Sequence, residues 1–119
     1  CDAFLLQYGA AVGDTVGTTG GVRYIDIEAG EGTAAAGGDL AVVNYTLYLQ
    51  ETEQFIESSC GENAAAIPFQ VGGPGIISGF STGVVGMRTG GVRRVFVPSA
   101  QAYSDGNDLI FDLHLVELN

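Results

Sequence analysis

Pro68-Phe69-Gln70-Val71-Gly72-Gly73-Pro74-Gly75-Ile76-Ile77-Ser78-Gly79-Phe80-Ser81-Thr82-Gly83-Val84-Val85-Gly86-Met87 is the stretch that decides how the chain folds. A short β-type run ends at a Gly-Gly-Pro-Gly break. Beyond it Ile76, Ile77, Phe80, Val84 and Met87 recur at the three- and four-residue spacing of one helical face. The spacing predicts a short buried helix entered from a strand. Gly79, Gly83 and Gly86 each cost about 1 kcal/mol relative to alanine in a helix interior, so packing against the rest of the molecule must hold it. A helix of that kind suits the plug of a small sheet.

The surrounding chain supplies the sheet. Residues 1–21 read as a tether with one apolar patch, Ala3-Phe4-Leu5-Leu6 with Tyr8, and a Gly/Thr-rich end. From Val22 the pattern is strand-like. Val22, Tyr24 and Ile27 mark a strand that stops at Gly30-Glu31-Gly32, and Leu40 to Leu49 alternate with bulk on both faces, as expected of a central strand. Gln54 to Ser58 and Ile67 to Val71 are shorter strands. Val92 to Val97 is another, stopped by Pro98, and an irregular loop from Ser99 to Asp108 leads to a last strand in which Leu109, Phe111, Leu113 and Leu115 alternate. Five or six strands, one short helix and mostly antiparallel connections make an α+β domain over residues 22–119, with the helix against one face of the sheet.

Composition narrows the function classes. A chain of 119 residues is one domain. No apolar run approaches the roughly 20 residues that span a bilayer. The formal charge is −10, the basic residues are Arg23, Arg88, Arg93 and Arg94, and lysine is absent, which excludes the basic footprint of a nucleic-acid binder. The acidity suits a solvated surface. Cys1 stands where an initiator methionine is expected. A chain that starts with Cys looks like a mature bacterial lipoprotein, whose N-terminal cysteine carries the lipid and provides the only membrane association. A cut end of a longer chain, or a disulfide to Cys60 in an oxidising compartment, are the alternative readings. Neither cysteine has zinc-site spacing, and no cofactor is called for.

Several motifs are set aside. Gly79-Phe80-Ser81-Thr82-Gly83 matches a nucleophile elbow, with Asp112 and His114 following in hydrolase order, but those two lie on one strand face and the chain is too short for a hydrolase sheet. Asn44-Tyr45-Thr46 is a glycosylation sequon inside the strongest strand pattern. Asp105-Gly106-Asn107-Asp108 lacks the length and closing Glu of an EF-hand loop. Gly30-Glu31-Gly32 has no helix signal after it. What remains is a set too aromatic and apolar for so small a core: Tyr45, Ile56, Ile67, Phe69, Ile76, Ile77, Phe80, Tyr103 and Phe111. They predict a concave apolar binding pocket.

In their order along the chain these blocks resemble the FKBP family of macrolide-binding peptidyl-prolyl cis/trans isomerases, over roughly Val22 to Asn119. The matching blocks are Gly38-Asp39 with Val43-Asn44-Tyr45-Thr46; Ile56-Glu57-Ser58-Ser59, where Phe55 is an alternative partner for the family Phe; Val71-Gly72, Ile76-Ile77-Ser78-Gly79-Phe80 and Gly83-Val84-Val85-Gly86-Met87; Gly90-Gly91-Val92-Arg93 with Pro98 to Tyr103; and Leu109-Ile110-Phe111-Asp112-Leu113-His114-Leu115. The resemblance implies a twisted antiparallel half-barrel wrapped around one short helix. It also implies an isomerase (rotamase) that binds proline-containing protein segments. Phe80 would be the floor under the proline ring, where the family usually has Trp, and Tyr45, Phe69 or Ile67, Ile76 and Phe111 the walls. The Ile77 N–H and Tyr103 hydroxyl would hold substrate carbonyls, and Glu57, for the family's Asp, would be the acidic rim. Ile56 stands where the family has Phe, and only Ser104 to Asp108 replace a longer apolar loop. With Cys1, the expected setting is the bacterial cell envelope, acting on exported proteins. The alternative is a weakly active or inactive lipoprotein module that is an accessory subunit of a membrane-associated complex.

Overall fold

The computed structural model describes residues 16–17, 21–28, 30–52, 54–59, 66–73, 77–103 and 106–118. Cys1, Cys60, the patch at residues 3–8 and Ile76 lie outside them. So do the side chains of Phe55 and Glu57.

The described strands are β1 (Val16–Gly17), β2 (Arg23–Glu28), β3 (Leu40–Leu49), β4 (Phe55–Ser58), β5 (Ile67–Gln70), β6 (Val92–Val97) and β7 (Leu109–Leu118). The helix α1 (Ser78–Val84) lies between β5 and β6. All pairings are antiparallel, in the order β1-β2-β6-β7-β3-β4, with β5 also paired to β3. Strand β3 is central, as its two bulky faces predict. Along one edge it pairs with β7 from Ala41 to Leu49. The other edge is shared, the first half by β5 and the second half by β4. The sheet is an open half-barrel around α1. Its edge strand β1 lies inside the region that composition reads as tether, pairing Val16 with Tyr24 and Gly17 with Arg23.

Helix α1 is shorter than the periodicity suggests. The pattern holds for burial from Phe80 onward, since Phe80, Val84 and Met87 are all core, but the helical backbone stops at Val84. Val85 leaves helical geometry, and Gly86 takes φ +92°, a left-handed conformation that favours glycine at a helix end. Met87 reaches the core from the loop beyond. The exit is tied down by the segment after β2, with the Gly86 N–H donating to the Ala35 carbonyl and the Ala35 N–H to the Met87 carbonyl, each at 2.8 Å.

Gly79 and Gly83 earn their places in α1 by proximity. A Cβ on Gly79 would collide with Val97 Cγ1 and lie 2.9 Å from the Gln101 carbonyl, and one on Gly83 would lie 2.7 Å from Val95 Cγ1. The helix therefore rests directly on β6, in agreement with the need for tertiary support. Behind it the inner face of the sheet supplies Val43, Leu47, Val95, Val97, Leu109, Phe111, Leu113 and Leu115, all buried.

The opposite face of the sheet carries charge. Arg94 and Asp112 are register partners on β6 and β7 and form a bidentate pair, at 2.6 Å from Nε to Oδ1 and 2.9 Å from Nη2 to Oδ2. Asp112 is 2% exposed, and Thr46, its partner across β3, is fully buried. Asn44 of the sequon is half-buried on this central strand, and its Oδ1 accepts a hydrogen bond from the Ser59 hydroxyl at 3.1 Å. Burial, and then the Asp112 carboxylate, push the nearby Tyr48 hydroxyl above its ordinary pKa, partly offset by Arg94. His114, on the same strand face as Asp112, is half-buried opposite Asn44 and Val92.

Candidate functional site

Four of the residues expected to form the pocket meet as a box of rings. The Phe80 ring is central. Its centroid lies 5.2 Å from Phe69 and 5.2 Å from Phe111, at interplanar angles of 75° and 88°, and 6.0 Å from Tyr45 at 88°. Tyr45 and Phe111 are 6.1 Å apart. Edge-to-face contacts of this kind are each worth about 0.5–1.5 kcal/mol beyond area burial, and they fix the ring orientation. The four side chains come from four elements: β3 gives Tyr45, β5 Phe69, α1 Phe80 and β7 Phe111. Tyr45 and Phe111 face inward because period-two alternation puts them on the same side as Leu47 and Leu113.

The box has a buried base and a more open edge. Phe80 and Phe111 are each 3% exposed, whereas Tyr45, Phe69 and Ile77 are partly buried against the core cluster. Ile77 is the residue at the helix N-cap, where its side chain makes no capping bond; the Phe80 N–H closes the first turn onto the Ile77 carbonyl at 3.1 Å. Ser81, buried within α1, accepts a hydrogen bond from the Gly72 N–H at 3.0 Å and ties the helix to the turn after β5. At the other side, Ser78 donates to Gln101 Oε1 at 2.8 Å, linking α1 to the short 3₁₀ turn Ser99–Gln101 that precedes Tyr103.

Other expected site residues are not drawn into the box. Tyr103 is 61% exposed and Ile56 42% exposed. For Ile56 the reason is a β-bulge. Leu47 pairs with Glu57, but the next residue on β3, Tyr48, pairs with Phe55, so Ile56 is the extra residue and has no partner. Ile67 is half-buried on β5, opposite Val43. A polar depression of about 320 Å³ between residues 49–52 and 106–108 is separate, and none of the box residues lines it. Among the described residues no group of three or more His, Cys, Asp or Glu side chains is placed to hold a metal.

One residue that sequence reasoning passed over is Arg93. It figured only in the charge count and as part of a matched block, yet its guanidinium is buried against α1. A signal was available: Arg93 and Arg94 are consecutive in a strand, so one of the two must face the core.

Comparison with known proteins agrees with this geometry. The model of the FKBP-type peptidyl-prolyl cis-trans isomerase family matches residues 31–116, and the chain belongs to that family. It is 35% identical over 117 residues to FK506-binding protein 4 of Emericella nidulans, covering 87% of this chain and 24% of that protein. It is 32% identical to the chloroplastic isomerase FKBP16-3 of Arabidopsis thaliana, covering 76% of this chain and 40% of that one. The chain spans about a quarter of the length of the fungal relatives it matches. In fold it is similar to the N-terminal domain of Arabidopsis thaliana FKBP42, with a TM-score of 0.83, 16% identity and coverage of 92% and 95% of the two chains. It is also similar to Escherichia coli FkpA, with a TM-score of 0.78, 24% identity and coverage of 99% and 57%.

Proposed function

We propose that the chain is a peptidyl-prolyl cis/trans isomerase, seating the proline of an X-Pro segment on Phe80. The observation that carries this reading is the ring box itself, in which Phe80 is held edge-on by Tyr45, Phe69 and Phe111 at the seam between helix and sheet. X-Pro isomerisation needs no nucleophile and no proton transfer. Its barrier, like the roughly 18–20 kcal/mol of peptide bonds in general, comes from resonance lost as the imide twists. The twisted imide is less charge-separated than the planar one, so an apolar, water-poor wall favours it over the ground state. The Ile77 N–H and Tyr103 hydroxyl would hold substrate carbonyls, Ile56, Glu57 and Ile76 completing the rim.

NMR exchange spectroscopy of an Ala-Leu-Pro-Phe peptide tests the reading. Faster cis/trans exchange at substoichiometric protein is expected, and the uncatalysed rate would overturn it. In that event the second reading, a non-catalytic accessory module, takes over; it is favoured by the exposure of Tyr103 and by the short segment that follows it.

The proposed setting is the bacterial cell envelope, with residues 22–119 as the domain and residues 1–21, apart from the edge strand β1, as a tether lipidated at Cys1. The relatives are of mixed origin, including a nuclear protein of Spodoptera frugiperda and a chloroplastic one. Among the described residues no helix is long and apolar enough to cross a membrane. Intact mass of the natively expressed protein decides: an acylated Cys1 is expected, and an unmodified one removes the anchor.

A further inference from the structure

Helix α1 has no means of its own to stay where the pocket needs it. It is seven residues long, contains Gly79 and Gly83, has no acidic residue in its first turn and no basic residue in its last. The carbonyls of the last turn of any helix lack intrahelical partners and carry its negative dipole end. Here two carbonyls at that end, those of Gly83 and Val85, both accept hydrogen bonds from Arg93 Nη1, each at 2.9 Å.

Arg93 reaches them from β6, and it is held from the other side. Its Nε donates to Asp26 Oδ1 at 2.6 Å and its Nη2 to Asp26 Oδ2 at 3.4 Å. Its Cζ sits 3.7 Å from the centroid of the Tyr24 ring. Tyr24 and Asp26 belong to β2, where Asp26 is the register partner of Arg93. One planar guanidinium, 3% exposed as a residue, thus joins β2, β6 and the C-terminal end of α1. The charge is compensated by Asp26 and by the helix dipole, and the face by an aromatic ring. Phe80 lies in the same helix, three residues before Gly83.

We infer that Arg93 is a positioning residue for the isomerase site: by bonding the end of α1 it sets where the Phe80 ring stands within the box of Tyr45, Phe69 and Phe111. Arg93 touches no substrate; it acts through Phe80. This rests on the isomerase reading for its effect on rate, but not for its effect on the ring. Displacements of about 1 Å at a binding surface cost up to roughly a hundredfold in rate, so the anchor has room to matter.

The test compares the full chain with Arg93→Met and Arg93→Lys, using ¹³C-labelled phenylalanine to follow the Phe80 ring. In Arg93→Met the Phe80 resonances are expected to shift or broaden, the Val85 amide to exchange at least tenfold faster than amides of β7, and kcat/KM per folded molecule for Ala-Leu-Pro-Phe to fall roughly tenfold or more. Arg93→Lys keeps the charge but cannot bridge Asp26 and both carbonyls while stacking on Tyr24, so it should restore little. Unmoved Phe80 resonances in a folded Arg93→Met protein, with a lower melting temperature as the only change, would overturn the inference. If Arg93→Met does not fold, Asp26→Asn serves, expected to move the same resonances in the same direction by less; no movement there overturns it equally. A wild-type chain without isomerase activity would sink the functional reading alone, because the ring resonances and the Val85 exchange still decide the role of Arg93.

Discussion

Phe80 and Tyr103 are both assigned to proline binding, yet Phe80 is 3% exposed and Tyr103 61%. The base of the site is made of core residues. Phe80 and Phe111 belong to the same buried cluster as Val84, Val95 and Leu113, and three of the four ring contacts of the box involve Phe80. The rim has no such support: Ile56 is the extra residue of a bulge, and Tyr103 follows a short turn tied to α1 through Ser78 and Gln101. Folding and binding are therefore one property at the base and two separable properties at the rim. A domain with a net stability of about 5–15 kcal/mol can lose a rim side chain unharmed, but not a base side chain.

The largest effect is expected where the two properties coincide. Phe80→Ala should cost about 3–5 kcal/mol in urea unfolding, since it empties a buried site between helix and sheet, and should remove the exchange acceleration together with it. A Phe80→Ala protein of undiminished stability would break the comparison. Next comes Asp112→Ala, on the face of the sheet away from the helix. It strands Arg94 without its bidentate partner, at a cost of about 3 kcal/mol, while kcat/KM per folded molecule should hold. This variant sharpens the comparison by separating burial from site membership, and a matching loss of activity would contradict it. The smallest stability change is expected for Tyr103→Phe, within about 0.5 kcal/mol of wild type as for other exposed positions. Its signature should be a raised KM, from the loss of one hydrogen bond to substrate. An unchanged KM would remove Tyr103 from the site.

Much of this was legible in the residue pattern. Period-two alternation in Leu40–Leu49 and Leu109–Leu118 gave the two long strands and the inward faces of Tyr45 and Phe111. Glycines at Gly79 and Gly83 foretold a helix pressed against its sheet, and the collisions that a Cβ would make with Val97 and Val95 agree with it. Two features left no trace in that pattern, and for one reason. The helix face was extended to Met87, which is buried but lies beyond a left-handed Gly86. Ile56 was placed at the pocket on block order, and a bulge between β3 and β4 makes it the extra residue of its strand. Neither event alters hydrophobic periodicity, so neither leaves a trace in it.

By itself the sequence determined which residues are apolar at which period, and so the strands, the existence of the helix and the aromatic set available to a pocket. These are local properties, set by side-chain type and backbone geometry within a few residues. Only the tertiary structure decided where α1 stops, which way Ile56 points and that Arg93 rather than Arg94 faces inward to join β2 to the helix. Those outcomes depend on register and on hydrogen bonds between groups as far apart in the chain as Asp26 and Arg93, and such pairings exist only once the strands have found one another.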